Sequence, residues 1–531
     1  MGLSRIAVFL LAMVSITASA QTDRYMVFFT DKTGTPHSIG SPTTFLSARA
    51  INRRIKANVA ITTDDLPVVP GYVTQVRATG AKAFFTTRWF NGVLVEATSA
   101  QVSAIEALGF VGFTEFVAPG DPLIGGRRSF KSTATAPAAA SSTQLTMLAL
   151  DNMHADGYQG SGVLVAVLDA GFPGVNTTSP FQALRDEGRI IQTTDFIRNS
   201  SDIYQYDDHG TVVLGIMTAG TSSFAGGAPS ANYLLYVTED AVSEYRVEEY
   251  NWLFAAERAD SAGADVLNSS LGYNTFDDPS MDYTESMMDG NTTIVSRAAS
   301  KARDRGIAVV VSAGNLGGIP WQLVAAPADV DGVLGVGAVD SQGARAAFSS
   351  VGPSSDGRIK PDVVALGVGV NVFTGSGAPA SANGTSMSAP LVTSLVAGLI
   401  EAFPQLTATE IVAAVKASAS QSSSPDNELG YGIPGYTAAR NYLTANPPNE
   451  IAAVYPNPVV GDLSILFQQL PEGSVRFSIY NAVGKIVHSS EHPLTWSVNP
   501  LSVPTDKLSP GIYLLHVQTS SYGRTLRFVK L

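Results

Sequence analysis

Between residues 145 and 442 the chain alternates unbroken apolar runs with helical patterns, and few folds satisfy that rhythm. The runs at 163–168, 231–237, 265–268, 307–311 and 333–339 are almost continuously apolar, so both faces of each strand must be buried. The segments 243–261 and 293–305 have helical spacing, and Gly306 stops the second. A further helix is predicted to start at a capping box of Thr407 and Glu410. Doubly buried strands separated by helices predict an α/β fold, a parallel sheet with helices on both faces. In such a sheet ligands bind at the carboxyl ends of the strands, so polar residues there are the first candidates for chemistry.

Smaller units flank this region. The first reads as a strand at 25–29, helices at 45–55 and 71–79, strands at 82–89 and 92–97, a helix at 99–108 behind a capping box of Thr98 and Gln101, and a strand at 111–117. With 31–66 taken as an insertion, the remainder is β-α-β-β-α-β, a small α+β unit of ferredoxin-like type. Residues 119–143 are rich in Pro, Gly, Ala, Ser and Thr around Arg127-Arg128, which predicts an exposed, protease-sensitive linker. A small domain, a cleavable linker and a large domain form the layout of a proenzyme; a plain interdomain linker is the alternative. Past Pro447-Pro448 the pattern is strictly β, at 463–467, 475–480, 485–488, 511–518 and 525–531, with turn clusters at 481–484 and 520–523. That spacing predicts a small antiparallel sandwich.

At the N-terminus, Arg5, the apolar run 6–14 and Ala18-Ser19-Ala20 predict a signal peptide over 1–20, with an apolar run too short to span a bilayer. No other stretch reads as a transmembrane segment. The expected domains are therefore a signal peptide (1–20), a propeptide with its linker (21–143), the α/β domain (144–442), a linker (443–450) and the sandwich (451–531). The net charge of −12 over 531 residues, with no basic cluster beyond Arg127-Arg128 and nearby Lys131, disfavours a nucleic-acid partner. The absence of cysteine removes disulfides, thiolate catalysis and Cys-ligated metals. No H-E-x-x-H is present.

Of the six histidines only His154 and His209 lie in the α/β region. His154 sits in a polar lead-in to the first strand and reads as surface or structural. His209 follows Asp207-Asp208 where an acidic loop turns into an apolar helix, a position that projects an imidazole into the crevice. Asp169 ends the run 163–168, and Asn315 follows the run 307–311 between glycines. Ser386 lies in Gly384-Thr385-Ser386-Met387-Ser388-Ala389-Pro390, at the start of an apolar helix whose first turn Pro390 would suit. Singly, these residues read as well as a helix cap and turn formers. Together they supply the nucleophile, base, carboxylate and oxyanion donor of a serine hydrolase. The order Asp…His…Ser differs from that of α/β-hydrolases, and Gly384-x-Ser386-x-Ser388 lacks their second glycine. A dinucleotide fold fails because Gly157, Gly160 and Gly162 precede the strand.

Val167-Leu168-Asp169-Ala170-Gly171, His209-Gly210-Thr211-x-Val213-x-Gly215, Ser312-Ala313-Gly314-Asn315 and Gly384 through Pro390 resemble the signatures of subtilisin-like serine proteases, the subtilases. The resemblance implies Ser386 as nucleophile, His209 as base and then acid, and Asp169 as the group orienting the imidazole. Asn315 and the Ser386 N–H would form the oxyanion hole. Ser270-Leu271-Gly272 resembles the strand that pairs with substrate backbone. Two positions depart from the common pattern: Ala170, where many members carry Ser or Thr, and Val212, where many carry a second histidine. Residues 24–119, with Phe45-Leu46-Ser47-x-Arg49-Ala50, resemble the propeptide of subtilases of Bacteroidetes type, which implies an inhibitor removed on maturation. Tyr455-Pro456-Asn457-Pro458, Gly511-Ile512-Tyr513 and the ending Arg527 to Leu531 resemble the sorting domain of the type IX secretion system, which implies a secreted or cell-surface protein. The implied partners are protein or peptide substrates, the chain's own propeptide and the secretion machinery. The chemistry requires no cofactor. Many subtilases use calcium, and a structural calcium stays open: the acidic run 277–282 is one candidate, but reads better as a solvated loop because no complete ligand pattern is visible. The small residues at 271–272 and 325–327 predict a preference for apolar side chains before the scissile bond. A catalytically silent surface-binding protein on the same scaffold is the rival.

Overall fold

The structure is a computed structural model, described here for residues 21–120, 142–221, 224–445, 451–467, 473–493, 500–519 and 523–531. The predicted signal peptide, Arg127-Arg128 and Pro447-Pro448 lie outside these residues, as does most of the turn predicted at 520–523.

The N-terminal unit runs β1 (Asp23–Phe29), α1 (Ala48–Lys56), α2 (Pro70–Ala78), β2 (Lys82–Thr87), β3 (Gly92–Ala97), α3 (Ser99–Glu106) and β4 (Val111–Pro119). The sheet order is β2-β3-β1-β4, all antiparallel, so the predicted β-α-β-β-α-β unit is present with α1 carried on the insertion. The capping box of Thr98 and Gln101 opens α3. Strand alternation sends Val27, Phe29, Val93 and Val95 against α2 and α3, and Met26, Phe28 and Leu94 toward the next domain.

The main sheet of that domain has seven strands: β5 (Leu164–Asp169), β6 (Ile190–Asp195), β7 (Asn232–Val237), β8 (Val266–Ser269), β9 (Ala308–Ser312), β10 (Leu334–Val339) and β11 (Val363–Leu366). They form one parallel sheet in the order β11-β10-β9-β8-β5-β7-β6. Its principal helices are α4 (His209–Thr218), α5 (Val247–Ala262), α6 (Ile294–Asp304), α7 (Thr385–Ala402), α8 (Ala408–Ala417) and α9 (Tyr436–Ala445). Val165 and Val167 pack under α4 and α7 on one face, whereas Leu164, Ala166 and Leu168 pack under α5 and α6 on the other. The same strand thus serves two cores, which explains its unbroken apolar run. The second core also takes in Met26, Phe28, Trp89, Leu94 and Val117, so the N-terminal sheet closes over α5 and α6. Helix α7 is the one helix among the described residues long and apolar enough to cross a membrane, and it is buried in the first core.

The two edge strands, β6 and β11, were not visible in the sequence pattern. β6 pairs on one side only and is partly exposed over its first four residues, Ile190 to Thr193, so it lacks the apolar run of a central strand. β11 is fully buried but only four residues long.

Charge also joins the first two domains. Arg53 and Arg54 of α1, with Arg88, all donate to Asp260 near the end of α5, which is fully buried beneath them. Arg54 also meets Asp65 at 3.1 Å, and Arg305 donates to Asp65 at 2.8 Å. Removing the carboxylate with Asp260→Ala would leave three buried guanidinium groups without their shared counter-charge, a cost of about 3–5 kcal/mol. The expected result, in the full chain carrying Ser386→Ala, is release of residues 24–120 from the α/β domain at lower urea, read by limited trypsin digestion.

The C-terminal unit is an antiparallel sandwich. One sheet contains Ile451–Tyr455, Leu463–Phe467 and Leu501–Val503; the other contains Ser474–Tyr480, Ile486–Pro493, Gly511–Gln518 and Gly523–Lys530. Leu463, Ile465 and Phe467 meet Val475, Phe477, Ile479, Leu515 and Val517 between them.

Candidate active site

The four candidate residues sit where the topology brings strand ends together. Asp169 is the last residue of β5, His209 the first of α4, and Ser386 the second of α7. Asn315 lies three residues beyond β9, and only β8 separates β9 from β5. Gly210 lets α4 approach β5: a side chain there would meet Gly171 O at 2.4 Å and Asp169 Cβ at 3.0 Å. The close approach places His209 Nδ1 2.7 Å from Asp169 Oδ1, with the two residues 5% and 0% exposed. With its proton on Nδ1 the imidazole donates to the carboxylate, which leaves Nε2 as the basic nitrogen. Asp169 Oδ1 also accepts the Ala170 N–H at 2.8 Å, while Oδ2 is buried without a hydrogen-bond partner. Burial alone would lower the His209 pKa; the Asp169 charge and hydrogen bond, with Asp207 and Asp208 beyond, outweigh it and hold the imidazole above its ordinary value.

Ser386 is 4% exposed, and its hydroxyl donates to Ser270 O at 3.2 Å. The return bond, Ser270 Oγ to Ser386 O at 3.0 Å, has a cause in Pro390. Pro390 is not in the first turn of α7, as the sequence pattern placed it, but is its sixth residue. Lacking an N–H, it cannot bond to the carbonyl four residues back, which is that of Ser386. The Ser270 hydroxyl takes that carbonyl instead and ties the helix start to the segment after β8. Just before the helix, Gly384 has φ +147°, a conformation that favours glycine.

Asn315 Oδ1 accepts the Thr385 N–H at 2.9 Å and the Thr385 hydroxyl at 3.0 Å. With its oxygen engaged, the amide keeps its N–H groups for a ligand. Asn315, Ser386, Ser270, Leu271 and Gly272 border one cleft of about 320 Å³. A side chain at Gly272 would come within 2.9 Å of Ala325 Cβ across the cleft, so glycine keeps it open. Glu244 also lines this cleft and was missed in the sequence, because the pattern placed it inside a helix from residue 243. The helix starts at Val247, and Glu244 belongs to the loop before it. His154 is structural, its Nε2 2.9 Å from Gly227 O.

The acidic run 277–282 spends its carboxylates on backbone: Asp277 accepts from Glu244 N, Asp278 from Ser280 N, and Asp282 from Phe276 N, at 3.0, 2.9 and 2.7 Å. Among the described residues, the acidic group that converges is Glu239, Glu244 and Glu248.

Residues 160–432 match the model of the subtilase family. The chain belongs to the subtilase family. Two further models flank that match: the Bacteroidota propeptide domain of S8 peptidases over residues 24–132, and a secretion system C-terminal sorting domain over residues 453–530. Among curated relatives, subtilisin DY of Bacillus licheniformis is 32% identical over 270 residues, which are 50% of this chain and 87% of that protein. The subtilisin of Bacillus pumilus is 31% identical over 265 residues, 49% of this chain and 84% of that one. Of solved structures, MycP1 from Mycobacterium smegmatis is similar with a TM-score of 0.46 and 22% identity, over 59% of this chain and 90% of that chain. This subtilase is a serine endopeptidase made with a propeptide, and its sorting domain marks it for type IX secretion to the cell surface or the medium. Subtilase catalysis needs no cofactor.

Proposed function

We propose that this subtilase hydrolyses peptide bonds in proteins through an acyl-enzyme at Ser386. The assignment is supported by the buried His209–Asp169 pair at 2.7 Å, with Asp169 at the end of β5, His209 at the start of α4 and Ser386 at the start of α7. Ser386 Oγ attacks the scissile carbonyl carbon as His209 Nε2 takes the hydroxyl proton. Asp169 holds the resulting imidazolium in orientation. The tetrahedral oxyanion accepts hydrogen bonds from Asn315 Nδ2 and the Ser386 N–H. Collapse expels the amine, which takes the proton from His209, and water repeats the sequence to release the acid. The Ser270-Leu271-Gly272 segment pairs with substrate main chain, an affinity that tolerates many side chains. Gly272 and Ala325, with no bulk to offer, favour apolar residues before the scissile bond.

The propeptide acts as an intramolecular inhibitor, cleaved within residues 120–143 after export directed by a signal peptide over 1–20. The mature peptidase domain spans 144–442, and a linker over 443–450 joins it to the sandwich at 451–531. A structural calcium belongs to the same proposal. A fluorophosphonate probe should label the processed protein at Ser386 alone, located by peptide mass mapping. Failure to label, in protein whose propeptide has been removed, would favour a silent binding scaffold. Asn315→Ala should lower kcat by about 10²–10³-fold with little change in KM, the loss seen for the oxyanion-hole asparagine of subtilisin.

A further inference from the structure

The end of β7 and the start of α5 enclose carboxylates that the reaction does not use. Glu239 lies two residues beyond β7, Glu248 is the second residue of α5, and Glu244 is in the loop between them. One ligating oxygen of each lies within 4.8 Å of those of the other two. Glu239 and Glu248 are 5% and 1% exposed, and Glu244 is half-buried in the wall of the substrate cleft. Carboxylates crowded in a low-dielectric site repel one another unless they are protonated or share a cation. The neighbouring charges that bear most strongly on them are negative: Glu244, Asp169 and Asp240 on Glu239, and Glu239, Glu244 and Asp240 on Glu248. The Arg246 guanidinium, nearest in sequence, is turned to Met281 O at 2.9 and 3.2 Å.

A second observation concerns oxygens without donors. Glu248 Oε1 accepts the Asp240 N–H at 2.9 Å, but its Oε2 is buried with no hydrogen-bond partner. Thr238 Oγ1 and Asn251 Oδ1 are likewise buried and unpartnered. The Asn251 amide is fixed in that sense, because its Nδ2 donates to Thr238 O at 3.2 Å. Buried acceptors of this kind are rare in folded proteins. Here Thr238 directly precedes Glu239, and Asn251 lies one turn after Glu248 on α5.

We propose that Glu239, Glu244 and Glu248 bind a calcium ion at the edge of the substrate cleft. The donors are all oxygens, which selects a hard cation. Calcium accepts six to eight such ligands in flexible geometry, whereas magnesium demands a near-ideal octahedron and keeps its waters. Asn251 Oδ1 and Thr238 Oγ1 are the neutral oxygens on hand to add to the carboxylates. The ion reaches the cleft through Tyr273, whose hydroxyl donates to Glu239 and whose N–H donates to Ala326 O at 2.9 Å. Tyr273 directly follows Ser270-Leu271-Gly272, so the ion braces the segment that receives substrate.

The test uses the full chain carrying Ser386→Ala, which cannot digest itself, after stripping with EGTA. Calcium at about 1 mM, the range that extracellular sites are tuned to, should raise its thermal midpoint saturably. Glu248→Gln should bind one calcium ion fewer per chain by elemental analysis. Glu244→Gln, at a half-buried position where the fold depends less on the side chain, should weaken calcium binding by about tenfold or more. Equal calcium uptake in the parent and both variants would place the ion elsewhere and overturn the assignment. A parent that binds no calcium, with variants more stable than it, would show a protonated carboxyl cluster instead. Calcium binding unchanged by Glu244→Gln, with selective loss of cleavage after basic residues in the same substitution on the Ser386 background, would make the group a pocket for a cationic side chain.

Discussion

Replacing Ser386 by alanine is expected to lower kcat by about 2 × 10⁶-fold, the loss known for the nucleophile of subtilisin. The effect is chemical, because the structure loses little. The Ser386 hydroxyl makes one bond, to Ser270 O at 3.2 Å, and its loss costs about 1 kcal/mol. The reciprocal bond from Ser270 Oγ uses the main-chain carbonyl of Ser386 and survives the substitution. The start of α7 therefore keeps its place, and Asn315 keeps its hold on Thr385. Purified variant should show no casein hydrolysis above the rate set by the remaining oxyanion donors and binding. If propeptide removal is intramolecular, the variant should also be secreted uncleaved, with residues 24–120 still docked on α5 and α6. Circular dichroism and a thermal midpoint close to those of the parent would establish that the loss is one of chemistry. Casein hydrolysis retained in such a folded variant would remove Ser386 from the mechanism.

Much of this was legible in the sequence for a definite reason. A strand buried on both faces must be apolar at every position, so β5, β7, β9 and β10 declare themselves without knowledge of their neighbours. Their carboxyl ends then point to Asp169 and Asn315 directly. The edge strands do not obey that constraint, which is why β6, with its half-exposed Gln192 and Thr193, looks like a loop. Pro390 shows a different limit. A proline near a helix start suggests the first turn by local rules alone, but its position inside α7 depends on a distant partner: the Ser270 hydroxyl, 116 residues away, which donates to the orphaned Ser386 carbonyl. The Glu239, Glu244 and Glu248 group was hidden for a similar reason. Its members belong to a strand end, a loop and a helix start, and a pattern that began the helix at residue 243 put Glu244 on the wrong element.

The second large effect belongs to Asp169→Asn, and it separates orientation from charge. The amide is nearly isosteric, so the buried site at the end of β5 should still fill. It can, however, turn an N–H toward His209 Nδ1 and so favour the tautomer with its proton on Nε2, which cannot accept the Ser386 proton. Removing this carboxylate from subtilisin costs about 3 × 10⁴-fold in kcat, and a loss of that order is expected here. The pH profile should move as well. The imidazole works as a base only when neutral, so kcat/KM in the parent should fall as the pH drops through the His209 pKa. Because that pKa is held above the ordinary histidine value of about 6.5, the acid limb should lie above it too. In Asp169→Asn the lowering effect of burial is opposed chiefly by Asp207 and Asp208, so the residual activity should persist to lower pH than in the parent. A large fall in kcat with an acid limb that stays in place would show that Asp169 acts by position alone and that the charge raising His209 lies elsewhere. A fall accompanied by the downward shift is what the 2.7 Å contact between the buried carboxylate and the imidazole requires.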